Sequence, residues 1–160
     1  PICFTPRTEP PVAMIAVDIL RTLPLFAALD AEQLRFIAAC ASVQRLPRGT
    51  MVLAEGDPAS GLYVLLSGRV KVSIPDSSGK EVILSVLGPH EFFGEMAMLD
   101  DEPCSASVET LEPCAVVRIA RADFQKCMAG NLPLAMGIMR ALVRRLRGDR
   151  KSTRLNSSHT

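Results

Sequence analysis

The densest set of residues able to do chemistry lies in one stretch, Phe92-Phe93-Gly94-Glu95-Met96-Ala97-Met98-Leu99-Asp100-Asp101-Glu102-Pro103-Cys104-Ser105-Ala106-Ser107-Val108. Gly94 lets a backbone approach a ligand closely, and the residues after it favour a short helix whose first N–H groups can meet an anion. Glu95 stands where a carboxylate can accept hydrogen bonds from ligand hydroxyls or from the backbone. A glutamate that merely caps a helix satisfies the same local pattern, so the stretch alone leaves both roles open.

Other chemistries find less support. The two histidines are His90, in a Gly-Pro turn, and His159, near the end of the chain. They cannot supply the several imidazoles of a metal triad, and His90 is the single candidate base in the body for a Ser-His-Asp or Cys-His set. The expectation is therefore no catalytic residue, no metal ligand and no enzyme. The five cysteines (Cys3, Cys40, Cys104, Cys114, Cys127) are odd in number, widely spaced and never in C-x-x-C pairs. That excludes a disulfide framework and a closely spaced zinc or iron–sulfur set, and fits idle thiols in a reducing cytoplasm. Cys104 and Cys114 invite a redox-responsive reading, but no neighbouring cation lowers the Cys104 pKa, and a tolerated small residue is the simpler account.

The elements that must position these residues follow from the hydrophobic period. Residues 1–16 form a proline-rich arm without pattern, with Met14 a candidate natural start. An apolar segment from Val17 to Phe26 leads to Asp30, an N-cap with Gln33 three residues on, after which Leu34, Ile37, Ala38 and Ala41 share a helical face. From Val43 the period shortens. Val43–Leu46, Met51–Leu53, Leu62–Leu66, Val70–Ile74, Val82–Leu87 and Ala115–Ile119 are β-rich runs separated by Gly/Pro/Asp/Ser turns. Strands at this spacing predict a sandwich or a jelly roll, with several runs alternating as half-buried antiparallel strands do.

After Ala120 the pattern is helical again: a short helix from Arg121 to Met128, a stop at Gly130-Asn131, and Pro133 in the first turn of a longer helix. There Leu132, Met136, Met139, Val143 and Leu146 recur at three- and four-residue steps, with Arg140, Arg144, Arg145 and Arg147 between them. Such a stripe must lie on its own domain or on the same helix of a second copy, and the pattern does not choose. Lys151–Thr160 is polar and leaves the stripe abruptly.

With 160 residues, 48% apolar and 22% charged, the chain can build one domain with a core. The longest apolar stretch, Pro11–Leu29, is broken by Asp18, Arg21 and Pro24, which excludes a membrane span there. The net charge of +1 conceals an asymmetry. Residues 1–129 hold 11 Lys+Arg against 16 Asp+Glu, a net of −5, and residues 130–160 hold 7 against 1, a net of +6. A mildly acidic body argues against its own binding of a phosphate backbone.

Two segments together resemble the cyclic nucleotide-binding domain of the Crp/Fnr regulators, shared with protein kinase regulatory subunits and some ion channels. Glu55–Val72 is similar to the family's turn-and-hairpin, with Gly56, Gly61 and Gly68 where the β-roll bends, and Phe92–Val108 is similar to its phosphate-binding cassette. The likeness runs over about residues 20–148 and implies a mainly β fold with flanking helices: a β-roll, or double-stranded β-helix, plus the start of a long C-terminal dimerisation helix. It implies cyclic AMP or cyclic GMP as ligand, with Glu95 on the ribose 2′-hydroxyl and Gly94, Met96 and Ala97 presenting backbone N–H groups. Where the family usually has Arg before Ser, Thr or Ala, this chain has Cys104 before Ser105. A thiol offers one weak donor where guanidinium offers five and a charge, so nucleotide binding is expected to be weakened.

The resulting expectation is four segments: arm 1–16, β-roll 17–130, dimerisation helix 131–150 and a non-native or disordered tail 151–160. The function expected is that of an effector-sensing domain of a cytoplasmic bacterial Crp/Fnr-type transcription regulator, homodimeric through Met136, Met139, Val143 and Leu146. DNA recognition would fall to a C-terminal helix-turn-helix missing from these residues, because too few follow Arg150 to form one. The alternative is a stand-alone regulatory or interaction module.

Overall fold

The computed structural model describes residues 16–159 and, within them, the side chains of residues 17–148. Most of the expected arm, with Cys3 and Met14, and the side chains of the expected tail, with His159, lie outside the described residues.

Helix α1 (Ala16–Arg21) and a 3-10 turn at Pro24–Phe26 carry the first apolar segment into the core, where Leu20, Leu23 and Phe26 are wholly buried. Helix α2 (Ala31–Cys40) begins at the expected cap. The Asp30 carboxylate accepts from the Gln33 N–H at 2.8 Å, and Gln33 Oε1 accepts from the Asp30 N–H at 2.9 Å. This reciprocal pair satisfies two donors that a helix start leaves open, and Leu34, Ile37 and Ala38 then turn one face inward.

Eight strands follow among the described residues: β1 (Ala41–Leu46), β2 (Met51–Leu53), β3 (Gly61–Ser67), β4 (Val70–Pro75), β5 (Glu81–Leu87), β6 (Phe92–Phe93), β7 (Ser107–Thr110) and β8 (Cys114–Ala120). They form two four-stranded antiparallel sheets, in the orders β1-β8-β3-β6 and β2-β7-β4-β5. This is the expected β-roll with flanking helices.

The six strands read from the sequence are present, and two more occur, β6 inside the stretch read as cassette and β7 beginning at its end. Strand β3 does not alternate: Leu62, Tyr63, Val64 and Leu65 are all buried. Helices α3 (Glu95–Asp100) and α4 (Arg121–Ala129) lie against it, so a strand in a sandwich loses its solvent face. Gly56 and Gly68 have left-handed backbones at turns, as expected of bends. Gly61 does not bend. It opens β3 in an ordinary strand conformation, and a Cβ there would stand 2.6 Å from the Ile119 carbonyl oxygen on β8. Its smallness serves close strand approach instead.

Helix α5 (Leu132–His159) starts from Asn131, whose Oδ1 accepts from the Leu134 N–H at 3.2 Å. It docks through Leu134 and Ile138, both wholly buried, against α4 and the 3-10 turn, with Ala141 and Leu142 partly buried. The stripe singled out in the sequence is a different face. Leu132 is 70% exposed, Met139 49%, Val143 48% and Leu146 62%, with Met136 at the margin. The helix carries two apolar faces, and its own domain covers the one centred on Ile138.

Candidate functional site

Strand β6 ends at Gly94, which turns the chain into α3 with a φ of +92°. A Cβ there would come 2.5 Å from the Gly61 carbonyl oxygen, so both dihedral angle and space require glycine. The helix that follows is a single tight element, ended by Asp101 in a left-handed conformation.

Glu95 points inward from this turn, its side chain only 4% exposed. Its Oε2 accepts a hydrogen bond from Arg145 Nη1 at 3.0 Å. The second arm of Arg145, Nη2, donates to the Phe92 carbonyl at 2.8 Å, and the guanidinium lies 4.6 Å over the Phe92 ring. The other carboxylate oxygen of Glu95, Oε1, is buried with no partner among the described residues. Burial raises the Glu95 pKa and the Arg145 charge partly restores it, the net direction being upward.

Beside this pair opens a cavity of about 550 Å³. Its wall includes Gly94, Glu95, Met96, Ala97, Cys104, Ser105 and Arg145, together with apolar side chains from both sheets, among them Leu53, Val72, Leu87, Phe93 and Val108. The six residues proposed from the sequence thus share one hollow. Ala97 and Cys104 are buried, and Met96 and Ser105 are exposed.

Cys104 is anchored by its backbone: its N–H donates to the Asp57 carbonyl at 2.8 Å, and its carbonyl accepts from the Gly56 N–H at 2.9 Å. The turn after β2 and the end of the cassette are held together in this way. Burial pushes the Cys104 thiol up, and the negative charge of Asp57 pushes it further. A thiol so placed stays protonated near neutral pH, the opposite of a redox-reactive thiolate. Cys127 behaves alike, pushed up to about 12 by burial and by nearby Cys40. Among the described residues no three His, Cys, Asp or Glu side chains gather to hold a metal ion.

One expectation needs correction. The sequence places no cation near the cassette, but α5 delivers Arg145 from fifty residues away. Arg121 also reaches this end of the site, where it binds Asp101 at 2.5 Å and the Ala59 carbonyl at 3.2 Å. Arg145 looks like part of a solvated basic face when the exposed stripe is taken as the buried one. The available signal was its place on the other face, in line with Leu134, Ile138 and Ala141 at steps of three and four.

The model of the cyclic nucleotide-binding domain matches residues 43–131, more than half of the chain and all eight strands save the first residues of β1. The chain belongs to this cyclic nucleotide-binding domain family. It is 29% identical over 130 residues to the CRP-like cAMP-activated global transcriptional regulator of Mycobacterium tuberculosis, covering 81% of this chain and 58% of that protein. To the Cyclic AMP receptor protein of Thermus thermophilus it is 34% identical over 125 residues, covering 78% and 57%. It also resembles the crystal structure of the N-terminal domain of a transcriptional regulator from Streptomyces coelicolor, with TM-score 0.65 and 36% identity over 85% of this chain and 95% of that one. The chain therefore spans less than two thirds of the curated regulators it matches. No described helix is long and apolar enough to cross a membrane. The matched residues 43–131 include the Gly94-Glu95 turn and the buried thiol of Cys104.

Proposed function

We propose that this chain is the effector-sensing domain of a cytoplasmic, homodimeric Crp/Fnr-type transcription regulator. The observation that carries the reading is the link between Glu95 in the cavity wall and Arg145 on the long helix, since it joins a ligand site to the element that would report on it. A ligand hydroxyl that donates to Glu95 adds to, or displaces, the Arg145 contact. Either event changes how α5 is held against the β-roll, and with it the geometry of a helix pair. The apolar face of α5 at Met136, Met139, Val143 and Leu146 is the surface through which two copies would pair. DNA recognition belongs to the whole regulator and is part of the same proposal. In this reading the site binds and releases its effector unchanged, as the names of the matched regulators support.

Cyclic AMP or cyclic GMP would lie against Gly94, Glu95, Met96, Ala97 and Ser105, with residue 104 facing the phosphate. Replacing Cys104 by Arg supplies the charge-assisted fork that the family uses there. Isothermal titration with cyclic AMP should show Cys104→Arg binding about 30-fold more tightly or better. Equal affinity in parent and variant would overturn the assignment of residue 104.

A further inference from the structure

Two charged side chains line the cavity, Glu95 and Arg145, and they are paired with each other. Arg145 has its second arm on the Phe92 carbonyl and its face on the Phe92 ring. Arg121, near Cys104, is engaged by Asp101 and the Ala59 carbonyl. Position 104 itself carries a buried thiol with Asp57 beside it. An anion entering here meets no cation that is not already engaged, and it meets a carboxylate.

What the cavity asks for is a donor. Glu95 lies in the cavity wall, and its Oε1 lacks a partner among the described residues and is closed to water, so a donor from the cavity reaches it once the carboxylate turns from its Arg145 contact. A carboxylate oxygen in that position costs free energy until an O–H or N–H reaches it. A 3′,5′-cyclic nucleotide has its 3′-oxygen esterified, so its ribose offers one hydroxyl and brings a negative charge. A free nucleoside offers two adjacent hydroxyls and no charge. Leu53, Val72, Leu87, Phe93 and Val108 provide apolar wall for a flat base.

We infer that this cavity takes an uncharged nucleoside in preference to a cyclic nucleotide, its ribose hydroxyls donating to Glu95. The inference rests on the reading of the cavity as an effector site and names the chemical class of that effector.

The test is isothermal titration of the full chain with adenosine, guanosine, their 2′,3′-dideoxy forms, cyclic AMP and cyclic GMP. Adenosine or guanosine should bind at least about tenfold more tightly than its own cyclic phosphate. Removing both hydroxyls should weaken nucleoside binding about tenfold or more. Cys104→Arg should reverse the order of nucleoside and cyclic nucleotide. Tighter binding of a cyclic nucleotide by the parent chain overturns the inference and leaves the effector reading standing. So does nucleoside affinity that is indifferent to the hydroxyls. If no nucleoside binds the parent but cyclic AMP or cyclic GMP binds Cys104→Arg, the inference falls alone. If nothing binds either protein at millimolar concentration, the inference and the effector reading fall together.

Discussion

At the scale of single residues, Glu95 is held between two opposing effects. Burial disfavours its charged form and Arg145 favours it, and burial is the larger of the two. A carboxyl whose folded pKa lies above the ordinary 4.5 is bound to its proton more firmly in the folded chain than in the unfolded one. Its contribution to stability is therefore fullest below 4.5 and declines as pH rises through the raised folded value. Urea unfolding of the parent and of Glu95→Gln across this range should show their stability difference moving against the parent as pH increases. A difference that is flat with pH would mean that Arg145 fully compensates the burial. The unpartnered Oε1 also makes the prediction ligand-sensitive, because a bound hydroxyl stabilises the ionised form and reduces the slope.

At the scale of elements, two local devices have separable consequences. The capping box at Asp30 and Gln33 sets where α2 starts, far along the chain from the cavity wall. Asp30→Ala should lower unfolding free energy by about 1 kcal/mol and leave ligand affinity unchanged. Gly94→Ala is a different case, since the turn combines a left-handed backbone with a carbonyl where the methyl group would go. It should cost about 1–3 kcal/mol and also weaken binding, because the strain relaxes by moving the wall that carries Glu95. Chemical denaturation and titration of the two variants together check both statements. Loss of affinity in Asp30→Ala would show that the cap and the site are coupled.

At the scale of the whole molecule, exposed apolar surface gathers on α5 and on β5. Val82, Ile83, Leu84 and Val86 of β5 are exposed, as are Leu132, Met139, Val143 and Leu146 of α5. Both elements also border the cavity, through Leu84 and Arg145. A proposed second copy seated on the exposed face of α5 would lie across the helix from Arg145, so a ligand that shifts Arg145 would act on the pairing surface by moving the helix itself. Light scattering at micromolar concentration should find the parent dimeric and Met139→Asp mostly monomeric, since a carboxylate in a helix seam remains unsolvated and unpaired. A monomeric parent would refute pairing through this face.

The strand rhythm, the Asp30 cap, the Gly130-Asn131 break and the Gly94-Glu95 turn are all legible in the sequence. Each depends on residues within a few positions of one another, where backbone preference and hydrophobic period act directly. Strands β6 and β7 are two and four residues long, too short to display a period, and exist because β3, β2 and β4 offer them partners. Gly61 illustrates the same limit: its need for smallness comes from β8, more than fifty residues away. Helix α5 is the sharpest case. Leu134, Ile138, Ala141 and Arg145 define one face and Leu132, Met136, Met139, Val143 and Leu146 another, and a helical period fits both. Only the docking surface left by α4 and the 3-10 turn selects the first. That selection brings Arg145 to Glu95, because a helix has no means of choosing its buried face until something is there to bury it.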